Sequence, residues 1–177
     1  MGTPRAPSLA APLRIGTRGS ELALWQAHHV RDRLRAAWGD GLAIELVVIT
    51  TEGDRIQDRP LNEIGGKGLF VNAIEEQMIA GAIDVAVHSM KDLPGRLADG
   101  LTIACTPPRE DPRDALVFAP TVPAGARSLA ALPAGARVGT TSLRRAAILR
   151  RVHPGLDVRP LRGNVPTRLR RLEEGSL

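Results

Sequence analysis

The chain has 177 residues, 43% hydrophobic and 24% charged, enough for one domain or two small ones around a real core, and no apolar run nears the roughly 20 residues that span a bilayer. Its single cysteine excludes an internal disulfide and fits a reducing cytoplasm. A net charge of +5 calls for an anionic partner, but aromatic residues are only 2%, too few to stack the bases of a single strand, so a small polyanion suits the composition better than nucleic acid.

Residues 1–12 carry no continuous apolar stretch and read as a disordered leader rather than a secretory signal. Leu13 to Thr17 reads as a strand, and Ser20 is placed to cap the helix that follows. That helix runs to about Trp38, with Ala23, Ala27, Val30, Leu34 and Ala37 on one face. Ala43 to Thr50 is apolar nearly throughout, as expected of a buried strand. After a polar loop, the glycine segment ending at Gly68 opens a helix that turns Phe70, Val71, Ile74 and Met78 inward. A strand from Ile83 to Met90 closes a first βαβαβ unit. Leu101 to Cys105 reads as a further short strand with Cys105 buried at its end.

The Pro- and charge-rich segment 106–112 reads as a hinge between a first domain, 13–105, and a second, 113–177. In the second, residues 124–135 form an Ala/Pro/Gly-rich connection. Strands are expected over Arg137–Thr140 and Asp157–Leu161, and helices over Thr141–Val152 and Pro166–Glu174. The whole is an α/β pattern.

The most informative stretch is Ile83 to Pro94, where the strand end releases Ser89, Lys91 and Asp92 into a loop. Strand ends of α/β folds open into ligand crevices. Lysine occurs in this chain only at Lys67 and Lys91; all other strong bases are arginine. A compact ammonium beside a carboxylate is therefore a specific choice. Three strand-to-helix turns repeat one design: Thr17 to Ser20 with Arg18, Thr140 to Arg145 with Ser142 and Arg144, and Leu161 to Val165 with Arg162. Each puts cap groups and an arginine at a helix N-terminus, where free amides and the helix dipole favour an anion. Arginine in a first turn opposes that dipole, so Arg144 and Arg145 cost stability unless something negative is near. Among the bases at 168–171, Arg168 lies nearest the Arg162 turn. The segment around Lys67 lacks the leading glycine and the Ser/Thr of a phosphate loop, and reads as a flexible glycine segment that brings Lys67 over a ligand. His28, His29, His88 and His153 show no metal-ligand spacing, so no metal is expected.

Six stretches, TRGSELALWQA, IGGKGLF, DVAVHSMKDLP, REDPRDA, VGTTSLRR and LRGNVPTRL, follow one another from Thr17 to Leu169. In content, order and spacing the chain closely resembles the N-terminal part of the hydroxymethylbilane synthase (porphobilinogen deaminase) family. The resemblance implies two periplasmic-binding-protein-like α/β lobes with mixed, mostly parallel sheets, incomplete here at the C-terminus. A third domain, bearing the cysteine that attaches dipyrromethane, is expected to lie outside this chain, and Cys105 does not match that cysteine. The implied activity is head-to-tail condensation of four porphobilinogen molecules with release of ammonia, in haem and porphyrin biosynthesis, by a cytoplasmic, typically monomeric enzyme without nucleic-acid or membrane partners. By motif match Asp92 is the catalytic carboxylate. Arg18, Ser20, Ser89, Lys91, Arg144, Arg145, Arg162 and Arg168 match positions that bind cofactor or substrate carboxylates. Thr140 and Ser142 match supporting contacts, and Lys67 with Phe70 a mobile segment. The competing reading, a two-lobed protein that binds small anions without turnover, gives no use to a carboxylate such as Asp92 among the cations.

Overall fold

The computed structural model describes residues 11–51, 53 and 71–176. The chain divides between Thr106 and Pro107 into two compact units. Every ladder among the described residues is parallel, which makes each unit α/β.

In the first unit, β1 (Leu13–Thr17) is the middle strand of three. It is flanked by β2 (Ile44–Val48) and the short β3 (Val85–Ala86). Ile15 of β1 faces Leu46 on one side and Val85 on the other, and is fully buried. Parallel neighbours need a crossover. Helix α1 (Glu21–Trp38) stands between β1 and β2, and α2 (Asn72–Ile79) precedes β3. The small residues Ala23 and Ala27 are the buried face of α1, while Ala37 is exposed. Val71 and Ile74 enter the core as their spacing predicts, and Met78 packs beside them. Phe70, Lys67 and the glycine segment lie outside the described residues.

Ile49, Ile74 and Ile83 form the central cluster. Gly16 permits it: a Cβ there would overlap Ile83 Cδ1 and press on Ile49 Cδ1 at 3.3 Å. At the start of the sheet the backbone amide, Nε and Nη2 of Arg14 donate to Asp84 at 2.8, 3.1 and 2.8 Å, tying β1 to the approach of β3. Those bonds hold the Asp84 carboxyl below the usual carboxylate range.

Three expectations change. The strand expected over 83–90 pairs only at Val85 and Ala86. Val87 N–H still reaches Gly16 O at 3.0 Å, but the chain then tightens into a 3₁₀ turn over Met90–Asp92, closed by Asp92 N–H on Ser89 O, and Met90 is exposed. Edge strand β2 is less buried than its apolar sequence suggests, with Val48 56% exposed. The segment 101–105 runs with no ladder partner among the described residues, and Cys105 is exposed, not buried.

The second unit is built on β4 (Arg137–Gly139) and β5 (Asp157–Arg159), paired with Val138 opposite Val158. Helix α3 (Leu143–Val152) follows β4 and α4 (Val165–Glu173) follows β5. The connection over 124–135 holds two 3₁₀ turns, the second capped by Ser128. Val138, Ala146 and Leu161 are the buried apolar residues of this unit.

Candidate functional site

In each unit the residues singled out in the sequence gather at the C-terminal ends of neighbouring parallel strands. In the first unit Arg18 and Ser20 follow β1, and Ser89, Lys91 and Asp92 follow β3, which is hydrogen-bonded to β1. The turn after β1 is fixed from inside. Buried Thr17 donates its hydroxyl to Ala23 O at 3.1 Å, and Ser20 Oγ accepts from Ala23 N at 3.3 Å, so Arg18 sits in a turn locked onto the first turn of α1.

Gln26, on the same helix, reaches across to the other turn. Its side-chain amide lies 3.2–3.3 Å from Ser89 Oγ. The Ser89–Asp92 turn is thereby pinned to α1 while Lys91 points outward, exposed. His88 precedes it, and burial holds its imidazole below the ordinary value. The Asp92 carboxylate opposes that shift, Arg18 adds to it and Glu75 opposes it, so cation, carboxylates and imidazole share one field.

In the second unit Thr140 Oγ1 accepts from Ser142 N at 3.2 Å, and Ser142 Oγ accepts from Arg145 N at 3.3 Å. These two side chains shape the turn and cap α3. The first amides of α3, at Leu143 and Arg144, have no partner inside the helix. The turn after β5 is capped by Asn164, whose Oδ1 accepts from Thr167 N and Thr167 Oγ1 at 3.0 and 2.7 Å. Gly163 has φ +114°, and a Cβ there would lie 2.7 Å from Thr167 Cγ2, so glycine is required. Arg168 curls back and donates from Nε to Gly163 O at 2.7 Å, which holds its guanidinium at the mouth of this turn. Arg162 lies in the same turn, its carbonyl accepting from Arg171 Nη1 at 3.2 Å.

The charge cost expected at α3 has a local answer for Arg145. Asp114 Oδ1 accepts from Arg145 Nε and Nη2 at 3.0 and 2.6 Å. Three residues had no assigned role in the sequence reading: Gln26, His88 and Asp114. Each lies inside a motif already singled out, but Gln26 and Asp114 have partners remote in sequence, and His88 is set first by burial. Lys67 lies outside the described residues. Among those described, no cluster of His, Cys, Asp and Glu could hold a metal ion, and no helix is long and apolar enough to cross a membrane.

Each unit is thus an α/β unit with a parallel ladder, its arginine-bearing turns leading into capped helix N-termini, and the turn after β3 in the first unit offers lysine and aspartate together. Comparison with known sequences narrows that class. The family model described as the dipyromethane cofactor binding domain of porphobilinogen deaminase matches residues 13–177. The chain belongs to the porphobilinogen deaminase family. It is 58% identical over 165 residues to the porphobilinogen deaminase of Syntrophotalea carbinolica, covering 93% of this chain and 50% of that protein. It is 59% identical over 163 residues to that of a Roseiflexus species, covering 92% and 52%. With that of Paracoccus denitrificans identity is 54% over 170 residues, covering 96% and 53%. The chain thus spans about half the length of the curated relatives it matches.

Proposed function

We propose that this chain supplies the catalytic carboxylate and the anion-holding arginines of a hydroxymethylbilane synthase, which condenses four porphobilinogen molecules head to tail with loss of ammonia. The observation that carries this reading is the fixed turn at the end of β3. It presents Asp92 next to Lys91, with Ser89 pinned to Gln26 of α1. Asp114 pairs with Arg145, but Asp92 makes no ion pair among the described residues, and a carboxylate that orients no cation has no use in a site that only holds anions. Beside a pyrrole it has one. As the C–N bond to the aminomethyl group breaks and ammonia leaves, electrons from the pyrrole nitrogen leave a cationic azafulvene, and a preorganised Asp92 stabilises that developing charge.

The other residues bind and orient. Porphobilinogen carries an acetate and a propionate, and Lys91 and Arg18 suit one such pair at the first unit's strand ends. The residues present also fit dipyrromethane, whose acetate and propionate groups are those of porphobilinogen, because the N-terminus of α3 combines the Leu143 and Arg144 amides with the Arg144 and Arg145 guanidinium groups, and the turn into α4 adds Arg162 and Arg168. When bound, dipyrromethane supplies the pyrrole carbon to which the first substrate is joined. In this reading the two units are the two periplasmic-binding-protein-like lobes, 106–112 is the hinge, and the enzyme works as a cytoplasmic monomer.

Arg144 gives the direct test. It is exposed at the first turn of α3, makes no ion pair among the described residues, and opposes the helix dipole. Arg144→Leu should weaken porphobilinogen binding, measured by calorimetry on the chain, by about tenfold, the worth of one charge-assisted contact. The thermal midpoint without ligand should stay level or rise. A large fall in that midpoint with unchanged binding would make Arg144 a structural residue.

A further inference from the structure

We infer that Asp114 is a positioning residue for ligand recognition: it holds the Arg145 guanidinium by one edge and leaves the other edge to a ligand carboxylate. The inference rests on the reading above, that the N-terminus of α3 receives a carboxylate.

An arginine has two edges for bidentate contact, the Nε–Nη2 edge and the Nη1–Nη2 fork. Asp114 Oδ1 takes the first, accepting from Nε at 3.0 Å and from Nη2 at 2.6 Å. The Nη1–Nη2 fork keeps its remaining N–H groups. The backbone of Arg145 is fixed at the same time, because its amide donates to Ser142 Oγ at 3.3 Å and Ser142 N is in turn held by Thr140. Main chain and side-chain edge are thus both restrained, and the free fork has little rotation to lose on binding.

The contact is poorly explained as a stabilising ion pair. Arg145 and Asp114 are 45% and 63% exposed, and exposed pairs contribute little to folding. It joins residues 31 apart, from the loop before the 124–135 connection to the first turn of a helix. There a lone guanidinium would oppose the dipole and swing away from it. The nearby carboxylate counters that tendency, and hydrogen bonding from Arg145 holds Asp114 below the usual carboxylate range. Arg144 also lies within its field but makes no ion pair with it. Of the adjacent arginines, Asp114 therefore orients one and makes no ion pair with the other.

A double-mutant cycle with porphobilinogen as the probe tests the assignment, with affinities from calorimetry on the full 177-residue chain and folding followed by circular dichroism. Arg145→Gln should lower affinity about tenfold. Asp114→Asn should lower it about three- to tenfold with a thermal midpoint close to the native one, and should cost nothing further once Arg145 is Gln. If Arg145→Gln leaves affinity unchanged, the carboxylate reading of the α3 N-terminus fails. If Arg145→Gln weakens binding while Asp114→Asn has no effect, or the two losses add, that reading stands and the positioning role of Asp114 is wrong. A rise in affinity in Asp114→Asn would show Asp114 competing with the ligand, and would also overturn it. Asp114→Ala is the second variant; loss of folded protein in both Asp114 variants would make the pair a structural clamp.

Discussion

His88 shows how a single residue can couple the candidate site to pH. Burial holds its imidazole below the ordinary value of about 6.5, against the pull of Asp92 and Glu75 and with the push of Arg18. As pH falls below about 6.5 the unfolded chain takes up a proton at this position before the folded chain does. Stability is therefore greatest above that value and declines as pH drops toward the lower folded pKa. His88→Gln should flatten the dependence of the thermal midpoint on pH between 7 and 5, and slopes identical to the native chain's would rule out the burial effect. Nothing of this was legible in the sequence, where His88 could be tested only for metal spacing. Ionisation is set first by burial, then by the nearby Asp92 and by charges on other elements, here Arg18 after β1 and Glu75 of α2. Asp114 escaped notice for the same reason, since its partner Arg145 is 31 residues away.

At the scale of elements, local signals read well. Ser20 and Ser142 were identifiable as the cap or within the cap turn, and both accept the amide three residues on. At the third turn the glycine and arginine drew attention while Asn164 does the capping, although Asn ranks with Ser as a cap. Ser142→Ala should cost about 1 kcal/mol in urea unfolding by freeing the Arg145 amide; a change below a few tenths would mean that the cap bond is replaced locally. Strand assignment succeeded where alternation met a partner and failed where it did not. Leu101 to Cys105 has the composition of a strand but no ladder among the described residues, and pairing is a long-range property that no local pattern contains. The strand after Ile83 stopped early because Ser89 O is used by Asp92 N–H instead of a neighbouring strand.

At the scale of the molecule, the α/β class and parallel pairing followed from the alternation of strand and helix patterns, and the family followed from six motifs in fixed order. The depth of the core did not. The second unit buries Val138, Ala146 and Leu161 while Leu143 is 80% exposed, so its helices are held as much by caps and short strands as by packing. The central claim is that the turn at the end of β3 does chemistry and does not merely hold anions. It is tested most directly by joining this chain to the C-terminal half of a curated relative and following porphobilinogen consumption with Asp or Asn at position 92. Asp92→Asn should lower kcat about 10²-fold or more, within the usual range for a positioned acid–base group, while KM changes only a few-fold. Undiminished turnover in Asp92→Asn, in a fusion that is folded and active with Asp92, would contradict the account and leave these strand ends as an anion-binding site alone.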